Sequence, residues 1–133
     1  MFKGHGDNQV SIQDHIISMT LRGTCNEYDF QDIGPKVEQA VEQCNGEKFC
    51  ILVNHLEFLG ATPEAYREFQ VLNQWLNTQQ MQAKAIVIKS FSTLGTIKSR
   101  VPALNDQNIQ VFDVEGQAIT WLQNQLKIAA LAP

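Results

Sequence analysis

Cysteine is scarce and poorly placed for cross-linking. Only Cys25, Cys44 and Cys50 occur; the number is odd and no CxxC pair is present, which argues against a disulfide framework. Long apolar runs are missing too: none approaches the roughly 20 residues that span a bilayer. The opening "MFKGHGDNQV" has no apolar leader core, so the expected compartment is the cytoplasm, with no transmembrane segment. Positive charge is short: 10 Lys and Arg stand against 14 Asp and Glu, a formal net charge of −4. No basic stripe marks a nucleic-acid surface, and no nucleic acid is expected as a partner. The histidines show no metal-ligand spacing, His5 and His15 being isolated, so neither metal nor cofactor is expected. No linker, repeat or low-complexity block interrupts the 133 residues. Residues 1–133 therefore read as one domain, long enough for a core without staples.

What is present is a regular alternation of strand-like and helix-like segments. Residues 8–13 and 16–22 read as two strands around Asp14-His15, and so short a turn implies an antiparallel hairpin. "TCNE", residues 24–27, fits a capping box. Gly34-Pro35 then divides the following stretch into a short first turn and a main helix over 35–44, because proline is tolerated at a helix start and costly inside one. Val37, Ala40, Val41 and Cys44 share one face of it. Phe49 to Val53 is apolar on both faces, the mark of a central strand covered by helices. A helix over 63–79 follows, with Ala65, Phe69, Leu72 and Leu76 on one stripe. "AKAIVI", within residues 83–88, is a second buried strand. A third helix spans roughly 92–104, with Pro102 straining its last turn and favouring an earlier end. A strand over 109–112 and a helix over 115–127 close the order, and "IAALAP" reads as a frayed tail. The expected fold class is α/β: a single domain with a five-stranded, mostly parallel mixed sheet and about four helices.

Three segments carry a resemblance to a known family. They are "ISMTLRGTCNEYDF", "ILVNHLEFLGATPEA" and "VFDVEGQAITWLQNQL", the last closing with a strand, an acid and a helix bearing Ala and Trp-Leu. Together they resemble the SpoIIAA-like family of the STAS group, named for sulfate transporters and anti-sigma antagonists. At the level of fold they also resemble the Sec14-like lipid-binding architecture. In the anti-sigma antagonists the second segment's loop carries an Asp-Ser-Ser-Gly type sequence whose serine is phosphorylated and controls partner binding. Here the matching run is "GATP", where Thr62 is the one hydroxyl and Pro63 stands in place of glycine. The resemblance thus implies a phospho-acceptor at Thr62 that the local sequence does not support, since Thr62, Pro63 and Glu64 read as N-cap, first helical position and helix-end charge.

Ligands of open α/β sheets bind beyond the carboxyl ends of the strands. Those ends supply Asn54, His55 and Glu57 after one strand, and Ser90, Ser92 and Thr93 after the next. His55 and Glu57 are the only acid–base candidates and lack a third group to orient them, so no catalytic residue and no enzyme is expected. "KSFSTLGTIKSR" is not a P-loop; it reads as a capped helix with a solvated basic face. Phe58, Leu59, Phe91 and Leu94 form an apolar surplus in or beside the two loops. The function expected is a non-enzymatic regulatory or binding module acting through a protein partner or as a homodimer, with the loop over 54–62 and the following helix as its contact surface. The alternative is a carrier or sensor of a small apolar, lipid-like molecule in a pocket lined by Phe58, Leu59, Phe69, Phe91, Leu94 and Ile97.

Overall fold

In the computed structural model, which describes Gly4 and residues 6–131, an antiparallel hairpin opens the chain. Strand β1 (Asp7–Gln13) pairs with β2 (Ile16–Cys25) through the register Val10↔Met19 and Ile12↔Ile17. Asp14 and His15 between them both take positive φ, 53° and 64°, the combination a two-residue hairpin turn requires. Helix α1 (Glu27–Gln43) leads to β3 (Phe49–Asn54), then a short β4 (Phe58–Ala61) and helix α2 (Pro63–Leu76). Strand β5 (Met81–Val87), helix α3 (Phe91–Arg100), a 3-10 turn (Pro102–Asp106), strand β6 (Ile109–Phe112) and helix α4 (Glu115–Leu131) complete it. The sheet order is β1-β2-β3-β5-β6, with β4 attached to β2. Every pairing except β1–β2 is parallel.

Strand side chains alternate between faces, and here the alternation assigns the helices. Phe49, Ile51 and Val53 of β3 join Ile17, Met19 and Leu21 of β2 in a core with Ile33 and Val37 of α1, Phe69 and Leu76 of α2 and Ile97 of α3. Cys50 and Leu52 point the other way and meet Ala83, Ala85 and Val87 of β5 beneath Ala118 and Leu122 of α4. Three helices therefore cover one face and α4 alone covers the other. The small alanines of β5 allow α4 to lie close over the middle of the sheet.

Several expectations need correction. The capping box is not at Thr24: Asn26 is the N-cap, its Oδ1 accepting from the Tyr28 and Asp29 amides at 3.1 and 3.2 Å, while Asp29 Oδ2 accepts from the Asn26 amide at 2.8 Å. Helix α1 runs unbroken through Pro35. That proline lies on the exposed face, where water can satisfy the carbonyl one turn back. The third helix stops at Arg100, and Pro102 opens the 3-10 turn instead; Val101, preceding the proline, is pushed to φ −129° and ψ 71°, out of the helical region. The sheet has six strands rather than five, because Phe58 to Ala61 pair in parallel with Gly23 to Cys25. The same pairing carries β2 past its expected end at Arg22. The helix after β4 is also shorter than expected, ending at Leu76, and the presumed tail is helical to Leu131, its last two residues lying outside the described part of the chain, as does His5. Among the described residues no helix is long and apolar enough to cross a membrane.

Candidate functional site

The carboxyl ends of β3 and β5 do lie side by side, since the two strands are paired up to Asn54↔Val87. Beyond them the His55 amide donates to the Val87 carbonyl at 2.8 Å, which ties the loop after β3 to the end of β5. The loop is fastened elsewhere too. Asn54 Oδ1 accepts from the Leu56 amide at 2.9 Å, the Phe58 amide donates to the His55 carbonyl at 3.1 Å, and the Gly23 amide donates to the Glu57 carbonyl at 2.8 Å.

The two acid–base candidates part company. His55 is buried, 5 % exposed, its ring edge-on to Phe58 with centroids 4.7 Å apart. Its Nδ1 has no hydrogen-bond partner. Burial, reinforced by the nearby Lys84 charge, pushes its pKa down to about 3. Glu57 points to the surface and accepts from Arg22 Nε at 2.9 Å. A neutral, enclosed imidazole and a carboxylate held outside by an arginine are poorly placed to exchange a proton with one substrate.

Thr62 is the N-cap of α2: its Oγ1 accepts from the Ala65 amide at 3.1 Å, with Pro63 in the first helical position. Removing that acceptor strands a helix-end donor. Thr62→Ala is therefore expected to lower stability by about 1 kcal/mol without changing the fold, measured as a shift in urea midpoint at unchanged slope.

After β5, the Ser90 and Ser92 hydroxyls pair at 2.7 Å, and Ser90 makes no side-chain cap on α3. The apolar candidates divide by depth. Phe69, tilted against Phe30 at 5.0 Å between centroids, and Ile97 belong to the core at 4 % and 2 % exposure. Phe58 and Leu94 are half-buried. Leu59 and Phe91 stand out at 79 % each, both at the carboxyl end of the sheet.

Sequence reasoning passed over a buried polar cluster behind this edge. Lys84 of β5 is 1 % exposed, on the three-helix face in register with Ile51 and Ile109. Its Nζ bonds the Asn73 Oδ1 on α2 and lies 5.8 Å from the Phe69 ring centroid, in range of a cation–π attraction. Asn73 Oδ1 also accepts from Gln107 Nε2 at 3.1 Å, and its Nδ2 donates to the Phe69 carbonyl at 2.9 Å. Gln107 reaches Asn77 Oδ1 at 3.0 Å. Burial pushes the Lys84 pKa down to about 7. The signal was legible as a lysine within the otherwise apolar run from Ala83 to Val87, and as an asparagine one turn from Phe69 and Leu76 on the buried stripe of α2.

Burial works against thiolate chemistry at the cysteines. All three are buried free thiols. Burial, with the Asp29 charge, pushes Cys25 up to about 12, and burial pushes Cys50 up to about 11, far from the thiolate form a nucleophile needs. No group of three or more potential ligands gathers into a metal site among the described residues.

Comparison with known proteins places this geometry. A family model described as SpoIIAA-like matches residues 16–123. Among solved structures, an uncharacterized protein of the DUF3478 family with a SpoIIAA-like fold, from Shewanella loihica, superposes with a TM-score of 0.66. It is 14 % identical, over 92 % of this chain and 97 % of that one, so the likeness is one of fold. No curated protein matches the chain.

Proposed function

Because the chain belongs to the SpoIIAA-like family, we propose that it works as a non-enzymatic binding module, docking another protein at the carboxyl end of its sheet. The observation that carries the reading is the exposure of Leu59 on β4 and Phe91 at the start of α3, 79 % each, with the loop after β3 tied to the end of β5 by the His55–Val87 hydrogen bond. Single exposed apolar residues need no explanation. Two large ones at the edge where α/β sheets do their binding are what an interface core requires. The backbone beneath Leu59 is held by the pairing of β4 with β2.

Neither residue supports the core, so the Leu59→Ser/Phe91→Ser variant is expected to unfold within about 0.5 kcal/mol of the parent. The same variant is expected to lose a partner that native mass spectrometry detects on protein purified from its host. A lipid-sized mass retained by parent and variant alike would overturn the reading in favour of an apolar-ligand carrier. A partner complex that survives both serines would overturn the choice of site.

A further inference from the structure

Charge is distributed unevenly along this acidic chain. Of its 14 Asp and Glu, none lies between Glu68 and Asp106, an interval holding Lys84, Lys89, Lys98 and Arg100. Lys84 is the buried one. The other three flank or lie on α3, and none of them enters an ion pair among the described residues, whereas Arg22, Lys36 and Arg67 all do. The helix itself is lightly anchored: Ile97 is its one buried residue, and it packs on α2 and the 3-10 turn. Its exposed side carries Phe91, Ser92, Gly95, Thr96, Ser99 and Arg100. Beside Phe91 a cleft of about 290 Å³ opens between the ends of β5 and β6, lined in part by Ile88, Lys89, Val111, Phe112 and Asp113. Asp113 is the acid that lines the same cleft as Lys89, and Tyr66 of α2 lies within electrostatic reach of Arg100.

We propose that the α3 surface, with Lys89 and Lys98 on the side of Phe91 and Arg100 across its far end, docks an acidic segment of a partner protein through one apolar side chain seated in the adjoining cleft. The inference rests on the binding reading above and adds the partner's chemistry to it. Three unpaired cations in a chain of net charge −4 steer acidic partners and repel basic ones. An anionic bilayer fits less well. Each cation contributes about 1 kcal/mol near such a surface, and three of them with one exposed phenylalanine leave binding marginal. A bilayer also makes no use of a cleft sized for a side chain.

The test uses fluorescein-labelled Glu-Glu-Leu-Phe-Glu-Glu and its Gln-Gln-Leu-Phe-Gln-Gln and Lys-Lys-Leu-Phe-Lys-Lys counterparts, followed by fluorescence anisotropy on the whole protein. The acidic peptide is expected to bind about tenfold tighter than the glutamine peptide at about 20 mM salt, with most of the difference gone at about 300 mM. The Lys89→Gln/Lys98→Gln/Arg100→Gln variant, unchanged in Tm, is expected to bind the two alike. Equal binding of both peptides by the parent would overturn the acidic preference and leave docking at Leu59 and Phe91 standing. Failure of every peptide to bind would overturn both. Binding to vesicles of about 30 % phosphatidylserine without binding to the acidic peptide would overturn the protein segment as occupant.

Discussion

Asn73→Ala is expected to destabilise the protein by about 3 kcal/mol, and adding Lys84→Met to restore most of that loss. Asn73 Oδ1 is the acceptor for the Lys84 ammonium, and the lysine is 1 % exposed. Taking the acceptor away leaves a polar group enclosed without a partner, and the alanine adds a small cavity. Methionine at 84 follows the course of the lysine stem and leaves no donor behind. Gln107 keeps its bond to Asn77 Oδ1, so the double variant strands little. The comparison is a double-mutant cycle on urea unfolding, and additivity of the two changes would sink the proposed dependence. A pH signature accompanies it. Lys84 has a folded pKa of about 7 against an ordinary 10.5, so between those values the unfolded chain holds the extra proton and the folded chain does not. Stability from this group therefore rises with pH from about 7 to 10.5 and is flat below, with an amplitude of at most about 5 kcal/mol. In Lys84→Met that slope should vanish.

The second large effect belongs to His55. Its pKa falls from 6.5 to about 3 in the folded protein, through burial and then the Lys84 charge. The unfolded chain takes up the proton as pH drops through 6.5, while the folded chain resists it until about 3. Stability is thus fully present above 6.5 and is lost progressively as pH falls toward 3, by up to about 5 kcal/mol. Carboxylates add their own acid slopes, so the informative quantity is the difference between parent and His55→Leu. Leucine fills the same space against Phe58 and cannot charge. Parallel pH profiles for the two proteins would show that His55 is open to solvent when folded, contrary to its 5 % exposure.

Much of the architecture is legible in the sequence, and the reasons differ by element. β3 and α2 announced themselves, one by an unbroken apolar run and the other by a cap, a proline and a four-residue stripe ending at Leu76. Strand β6 was legible to its end residues. β4 was not, because its four residues include Gly60 at φ 134° and alternate in no clear way; only its pairing with β2 makes it a strand. Pro35 misled in the opposite direction. The general cost of proline in a helix is real, yet the tertiary packing of Ile33 and Val37 on either side keeps α1 whole. At the site, the sequence put a loop over Asn54 to Thr62 where Phe58 to Ala61 form β4, and depth was beyond it. His55 and Glu57 are two residues apart and face opposite environments. Phe69 and Phe91 look alike in a string of letters, and one is core while the other is surface. Periodicity reports which face a residue occupies and says little about how far an element's end projects beyond its neighbours.

The unexpected sixth strand bears on how fast and how tightly a partner could attach. Segments that bind while still mobile give up conformational entropy on association, about 0.5–1.5 kcal/mol for each side chain immobilised and more for the backbone. Between Asn54 and Ala61 that ordering has already happened during folding, through pairing with Gly23 to Cys25, the bond from the His55 amide to Val87 and the bond from the Gly23 amide to Glu57. A partner meeting Leu59 would encounter a surface set in its bound shape, with association limited by orientation and charge rather than by rearrangement.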